Sequence, residues 1–228
     1  MEAIVLAGGF GTRLRQVVPD LPKPMAPVAG RPFLEILLST LARKGITRVI
    51  LSLGFMSEKI IAHFGNSYKG MELVHEVEVR PLGTGGAIRA ALVRCAADHV
   101  FVFNGDTYLD LEVDALGRLW RSVHHPVIVV REVPDTARFG RVEMRDGRVI
   151  AFLEKGLAGP GLINAGCYVL PKDALDAFPL GESFSIETEY FAKSFGRIWF
   201  DGFVTHGRFI DIGVPDDYAL AQTELAWL

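Results

Sequence analysis

Val100-Phe101-Val102-Phe103 reads as a short strand with apolar side chains on both faces. Side chains alternate across a strand, so such a run needs cover above and below, as in the middle of a parallel sheet. It runs directly into Asn104-Gly105-Asp106. A second apolar run, Ala3 to Leu6, stops just as abruptly, at Gly8, Gly9, Phe10 and Gly11. A buried strand followed by a glycine turn accounts for it better than a helix, because glycine tolerates conformations and close approaches that other residues do not. Between these runs the period alternates. Pro32 opens a helix over 33–41 that Gly45 closes; strand 49–53, a short helix at Ser57, an extended stretch 72–79 and a helix over 84–95 follow. A helix at 111–123 and a strand at 127–130 complete the alternation, which predicts an α/β core.

The second half changes character. Strands at 139–144 and 148–152 flank Asp146-Gly147, a strong hairpin signal. Further strands are expected at 162–170, 198–203 and 206–212, and helices at 171–178, 185–195 and 215–227. With no linker, low-complexity tract or fixed-period repeat, the chain reads as one domain over 1–228, with a mixed sheet and a hairpin-rich second lobe.

Composition removes several classes of function. Half of the 228 residues are apolar, enough for a sizeable core. Lys plus Arg is 24 and Asp plus Glu is 27, a formal charge of −3, so no field exists for wrapping a nucleic-acid polymer. A local basic pocket for a nucleotide stays open. Cys95 and Cys167 are too few for a disulfide framework or a Cys-rich metal site and fit a reducing compartment. No window approaches about 18 uncharged apolar residues, so no membrane span or membrane partner is expected. The start, MEAIVLAGG, reads as a strand rather than a signal peptide, and a cytoplasmic location follows.

The glycines of Leu6-Ala7-Gly8-Gly9-Phe10-Gly11-Thr12-Arg13-Leu14 expose backbone N–H groups that can converge on phosphate oxygens, with Arg13 adding a fork of donors. A tight structural turn is the competing reading. The run is neither a Walker loop nor a full dinucleotide fingerprint. Lys23, between Pro22 and Pro24, is either an ordinary surface lysine or a second cation for the same polyphosphate. Asp106, beyond a buried strand, and Asp211, between Ile210 and Ile212, can each be a turn residue. Together they can hold Mg²⁺ through oxygen ligands.

Gly83-Thr84-Gly85-Gly86 can admit a base and ribose or serve close packing of a helix. Glu154-Lys155 at a strand end suits a small phosphorylated acceptor, Lys155 taking the phosphate and Glu154 the hydroxyl hydrogens. Asn164-Ala165-Gly166 offers a polar contact beside a tight backbone, and Ser185-Ile186-Glu187-Thr188 can be a plain helix cap. None of the six histidines shows a metal-ligand spacing, and no GxSxG elbow is present.

In this order the motifs resemble the sugar-1-phosphate nucleotidylyltransferase family over essentially the whole chain. Within it the chain is most similar to the D-glycero-α-D-manno-heptose 1-phosphate guanylyltransferases. Lys23-Pro24-Met25-Ala26-Pro27-Val28, Gly30-Arg31-Pro32-Phe33-Leu34-Glu35, Pro81-Leu82-Gly83-Thr84-Gly85-Gly86 and Phe209-Ile210-Asp211-Ile212-Gly213-Val214-Pro215 carry that likeness. The resemblance implies a Rossmann-like three-layer nucleotidyltransferase core of glycosyltransferase-A-like form. Residues up to about 131 would bind the nucleotide and 132–228 the sugar phosphate.

Leu6, Ala7, Gly8, Gly9, Gly11, Thr12, Arg13, Lys23, Pro81, Gly83, Thr84 and Asp106 would then meet the nucleotide. Gly140, Glu154, Lys155, Asn164 and Glu187 would meet the sugar phosphate, and Asp106 and Asp211 the Mg²⁺. The implied reaction is direct transfer of a nucleoside monophosphate, GMP from GTP, to the sugar 1-phosphate with release of pyrophosphate. Arg13, Lys23, Asp106, Lys155 and Asp211 would be its catalytic set. A homodimer is a family-level expectation.

Mannose 1-phosphate with GTP and N-acetylmuramate 1-phosphate with UTP are the alternative substrate pairs. An inactive nucleotide-sugar sensor is the alternative of another class. Two departures stand out. Leu14-Arg15-Gln16-Val17-Val18 holds no proline where many relatives have one, so the approach to the triphosphate should differ. The chain also ends soon after Asp211, without the C-terminal repeat domain of some relatives, which argues against a bifunctional enzyme.

Overall fold

A computed structural model of the protein describes residues 1–11, 14, 18–153 and 155–228. The first half contains β1 (Glu2–Ala7), a 3-10 turn at Lys23–Met25, the small hairpin β2 (Pro27–Val28) and β3 (Arg31–Pro32), and α1 (Phe33–Arg43). It continues with β4 (Arg48–Leu53), α2 (Ser57–Phe64), β5 (Ser67–Tyr68), β6 (Met71–Val77) and α3 (Gly83–Leu92). Then come β7 (His99–Asn104), β8 (Thr107–Leu109) and α4 (Val113–Val123). The second half contains β9 (Val127–Val133), β10 (Val142–Arg145), β11 (Arg148–Phe152) and β12 (Gly161–Pro171). A π-helical turn at Ile186–Phe191 runs into α5 (Ala192–Ser194), followed by β13 (Asp201–Thr205), β14 (Phe209–Asp211) and α6 (Pro215–Glu224).

One mixed sheet runs through both halves in the order β10-β11-β13-β9-β12-β7-β1-β4-β6-β5. The strands β7, β1, β4 and β6 are mutually parallel, as the two-faced apolar runs require. Ala3, Val5 and Phe101 face α1 and α4 through Leu34, Leu37, Leu38, Leu116 and Trp120. Ile4, Val100 and Val102 face α3 on the other side through Ile88, Ala91 and Leu92. Fully burying each Val, Leu, Ile or Phe among them contributes about 1.5–3 kcal/mol. A third, smaller core joins Phe33 and Ile36 to Ile210, Ile212 and Tyr218, which docks α6 and the two-stranded β14–β8 ribbon beside the main sheet.

Helix α1 ends as its sequence demands. Gly45 has φ +82°, its N–H donates to Ala42 O (3.0 Å), and Ile46 N–H donates to Leu41 O (3.1 Å). That is a Schellman closure, with Ile46 buried against Leu41's cluster. Crossovers β1–α1–β4 and β4–α2–β6 step one way across the sheet, while β6–α3–β7 returns to the other side of β1. The order therefore reverses between β1 and β7, and a crevice opens at their carboxyl ends.

The β10–β11 hairpin turns through Asp146 (φ +50°) and Gly147 (φ +77°), as expected of a tight turn needing two positive φ values. Residues 171–178 differ from expectation. Pro171 ends β12 paired with His99, and the segment continues as turns, with Ala174 bonded to Pro171 and Phe178 to Leu175. Pro179 disfavours helix at the residue before it. The helix expected at 185–195 is a π-helical turn and one α turn. The strand expected at 198–203 is displaced to β13, which ends at Thr205, and that expected at 206–212 shortens to β14.

Glu2 anchors the start of the central strand. It accepts from Ala96 N (2.9 Å) and Ala97 N (2.7 Å) and pairs with Arg48, which also reaches Glu72. Burial alone would raise its carboxyl, but those bonds outweigh burial and hold it below the ordinary glutamate value. The Glu2 contribution is present above its unfolded value of about 4.3 and is lost as pH falls through the lower folded value. Glu2→Ala is expected to lose about 1–3 kcal/mol at neutral pH, where a buried acceptor is removed. Urea unfolding across pH checks this: the gap to the unsubstituted protein should narrow steadily below about pH 4.

Candidate active site

The crevice is shaped by glycines that sit against the neighbouring strand's backbone. Gly105 N–H donates to Leu6 O (2.9 Å), and a Cβ at Gly105 would lie 2.5 Å from that oxygen. Gly8 and Gly54 lie back to back, a Cβ on Gly54 falling 2.7 Å from Gly8 O. The result is a cavity of about 300 Å³. Leu6, Ala7, Gly8, Gly9, Lys23, Pro81, Gly83, Thr84 and Asp106 all line it, so one wall gathers most of the residues expected to meet a nucleotide. Gly11 (φ +59°) instead backs the Lys23 side chain, a Cβ there falling 2.8 Å from Lys23 Cβ. Thr12 and Arg13 lie outside the described residues.

The two readings of Gly83-Thr84-Gly85-Gly86 divide between its residues. Thr84 faces the cavity, and Gly85 and Gly86 admit the 182–184 segment, where added Cβ atoms would meet the Phe184 ring at 2.2 Å and Glu182 O at 2.3 Å. Gly83 does both, lining the cavity while packing against Phe184 O, 2.6 Å from where a Cβ would fall.

A second cavity of about 450 Å³ adjoins the first, with Asn104 on the wall of both. Gly140, Lys155, Asn164 and Glu187 line it together with Asp211; Glu154 lies outside the described residues. Asn164 faces the cavity at a bulge. Against β9 the register of β12 passes from Asn164↔Val130 to Cys167↔Val129, so Ala165 and Gly166 are extra. Gly166 (φ +68°) is obligatory there, since a Cβ would fall 2.3 Å from Asn104 Nδ2. Ser185 does cap the following turn, accepting from Thr188 N (3.3 Å), and Glu187 nonetheless reaches the cavity.

Lys23, Asp106 and Asp211 meet between the cavities. In the β14–β8 ribbon Asp211 lies opposite Thr107, the residue after Asp106, and Ile212 N–H donates to Asp106 O (3.0 Å). Lys23 Nζ pairs with Asp106 and stands 4.0 Å from Asp211 Oδ1. Thr107 donates to Asp106 Oδ1 (3.2 Å), and Gly213 N–H to Asp211 Oδ1 (2.7 Å). Burial, then the Asp106 charge, push the Asp211 carboxyl above the usual aspartate range, against the pull of Lys23 and the Gly213 N–H. Two carboxylates so placed draw in a cation. Among the described residues no group of three or more acid, His or Cys side chains could hold a metal. A two-carboxylate site nevertheless suits Mg²⁺, which takes its remaining oxygens from water and substrate phosphates.

Two charged cavity residues, Glu78 and Arg141, are not singled out by any local pattern in the sequence. Glu78 lines the first cavity; its Oε2 accepts from Leu82 N (2.8 Å), its Oε1 points at Gly8, and burial raises its carboxyl. Its signal was position: an acid just beyond a strand on the same sheet edge as Asp106. Arg141 lines the second cavity and bonds Thr136 Oγ1 (3.3 Å).

Residues 2–226 match the family model described as nucleotidyl transferase. The chain is 42% identical over 226 residues to a D-glycero-alpha-D-manno-heptose 1-phosphate guanylyltransferase of Aneurinibacillus thermoaerophilus, covering 99% of this chain and 98% of that protein. It is 38% identical over 219 residues to the protein of the same name in Campylobacter jejuni, covering 96% and 97%. A crystal structure of HddC from Yersinia pseudotuberculosis complexed with GMP-PN superposes with a TM-score of 0.86 at 37% identity, covering 97% of each chain. Among the described residues no helix is long and apolar enough to cross a membrane. The chain belongs to the nucleotidyl transferase family, as an enzyme of its sugar-1-phosphate nucleotidylyltransferase branch.

Proposed function

We propose that this enzyme transfers GMP from GTP to D-glycero-α-D-manno-heptose 1-phosphate in the cytoplasm, where nucleoside triphosphates are available, giving GDP-heptose and pyrophosphate. The observation that carries the chemistry is the meeting of Lys23, Asp106 and Asp211 between two adjoining cavities. The first cavity, built largely from residues 1–131, takes the nucleotide. The second, largely from 132–228, takes the sugar phosphate. Full-length similarity to two heptose 1-phosphate guanylyltransferases supports the choice of sugar.

Glu78 supports the choice of base. Guanine presents two adjacent donors, N1–H and the 2-amino group, which one carboxylate can accept together. Uracil and thymine flank their single N–H with carbonyls that a carboxylate repels. Adenine sets an acceptor beside its amino group.

The acceptor phosphate is already ionised, so no side-chain nucleophile is needed. One of its oxygens attacks the α-phosphorus, the bond to the β-phosphate oxygen breaks on the opposite side, and the electron pair leaves with pyrophosphate. The protein contributes alignment and charge stabilisation. Lys155 orients the attacking phosphate. Lys23, with Arg13 from the glycine loop, stabilises the triphosphate, and backbone N–H groups from Gly8 to Gly11 cradle it. Asp106 and Asp211 would hold Mg²⁺, which when bound supplies positive charge to the phosphate oxygens.

A pyrophosphate-release matrix crossing GTP, UTP, dTTP, CTP and ATP with heptose, mannose, glucose and N-acetylmuramate 1-phosphates tests the assignment. A dominant GTP–heptose product of the right mass is expected. Another dominant pair would retain the chemistry and reject these substrates, and silence in every pair would leave a binding protein. Asp106→Asn should cut turnover at saturating substrates by at least about 100-fold, in line with the loss of an electrostatic catalytic group. Its melting point should hold. Glu78→Gln should raise the KM for GTP about 10-fold or more, the effect of losing hydrogen bonds to a charged group. Inosine triphosphate, which lacks the 2-amino group, should lose less.

A further inference from the structure

Behind the second cavity lies a hydroxyl that the proposed mechanism does not use. Tyr168, on β12, is fully buried, its ring packed on Phe191 at 5.0 Å. Asn164 Nδ2 donates to the Tyr168 oxygen (2.7 Å), and the Tyr168 hydroxyl donates to Glu187 Oε1 (3.3 Å). Burial and the Glu187 charge push the phenol far above its ordinary value, so its proton stays in place for Glu187. The other end of each partner is held as well. Asn164 Oδ1 accepts from Gly166 N–H (2.9 Å), which fixes the amide's orientation. Glu187 Oε2 accepts from Ser185 (3.0 Å) and from Thr84 (3.0 Å), the latter a residue of the first cavity.

An amide nitrogen has two hydrogens and each carboxylate oxygen two lone pairs. With one of each spent on Tyr168, Asn164 keeps one donor and Glu187 one acceptor on the cavity side. We propose that Tyr168 is a positioning residue: its hydroxyl holds Asn164 as donor and Glu187 as acceptor at a fixed spacing, a pair suited to neighbouring hydroxyl groups of the sugar. This inference rests on assigning the second cavity to the sugar phosphate. It also gives Glu187 two duties, since the carboxylate that faces the sugar is tethered to Thr84 beside the nucleotide.

Tyr168→Phe removes one oxygen and keeps the ring, so the test is a binding measurement with the melting point as control. Calorimetric titration with heptose 1-phosphate should show about tenfold weaker binding, the loss of a well-placed hydrogen-bonded contact. Binding of a non-hydrolysable GTP analogue with Mg²⁺ should change by less than about twofold. In an Asn164→Ala background Tyr168→Phe should have a much smaller effect, because residues acting as one unit are not additive. Undiminished sugar-phosphate binding, equal weakening of both substrates, or full additivity with Asn164→Ala would each overturn the proposal. An unsubstituted enzyme that binds heptose 1-phosphate yet releases no pyrophosphate with any triphosphate counts against the proposed reaction and leaves this inference standing. One that binds no heptose 1-phosphate overturns the cavity assignment and this inference with it.

Discussion

The structure depends on the parallel pairing of β1 with β7, buried on both faces and ending where the turn after β7 presses on the backbone of β1. Gly105 is bonded to Leu6 O with no room for a Cβ, so the two strand ends cannot separate without losing that bond. Because the chain order reverses between these strands, a crevice is left at their shared end. The glycine turn after β1 and the acid after β7 are therefore neighbours by topology.

What the central pair does not provide is the second carboxylate. Asp211 arrives on a short ribbon outside the main sheet, held by pairing with β8 and by the small core around Ile210, Ile212 and Tyr218. Burial and then the charge of Asp106 both oppose ionisation of Asp211 and push its carboxyl up. Lys23 offsets that repulsion, held in place by its 3-10 turn and the glycine behind it. Groups mutually stabilised in this way are poised to exchange one cation for another, which suits a site that must admit a charged substrate and its counter-ion.

The site was legible in the sequence where a residue's position followed from chain punctuation. Strand 100–103 ending in Asn104-Gly105-Asp106 and strand 3–6 ending in glycines each mark a buried strand that stops at a polar or glycine-rich turn, and Lys23 between two prolines follows closely. Asp211 was legible as an acid between two isoleucines, although only the ribbon's register brings it to Asp106. Glu78 escaped because the run 72–79 carries several acids, and nothing local singles out the one that passes the strand's end. Tyr168 escaped because a buried aromatic in an apolar strand reads as core, and its hydroxyl acquires partners only where the bulge brings Asn164 to it and the π-helical turn brings Glu187. The helix expected at 171–178 does not form because sheet pairing of Pro171 and the brake at Pro179 leave room only for turns.

The β14–β8 ribbon also bears on how the molecule comes into being. The strand that receives Asp211 closes at Leu109, while the strand that brings it is made a hundred residues later, after every strand of the main sheet. On the ribosome the residues that line the first cavity, Asp106 among them, therefore emerge well before Asp211. The two-acid centre is thus completed by the last strand to be made, together with the small core of Ile210, Ile212 and Tyr218 that seats it.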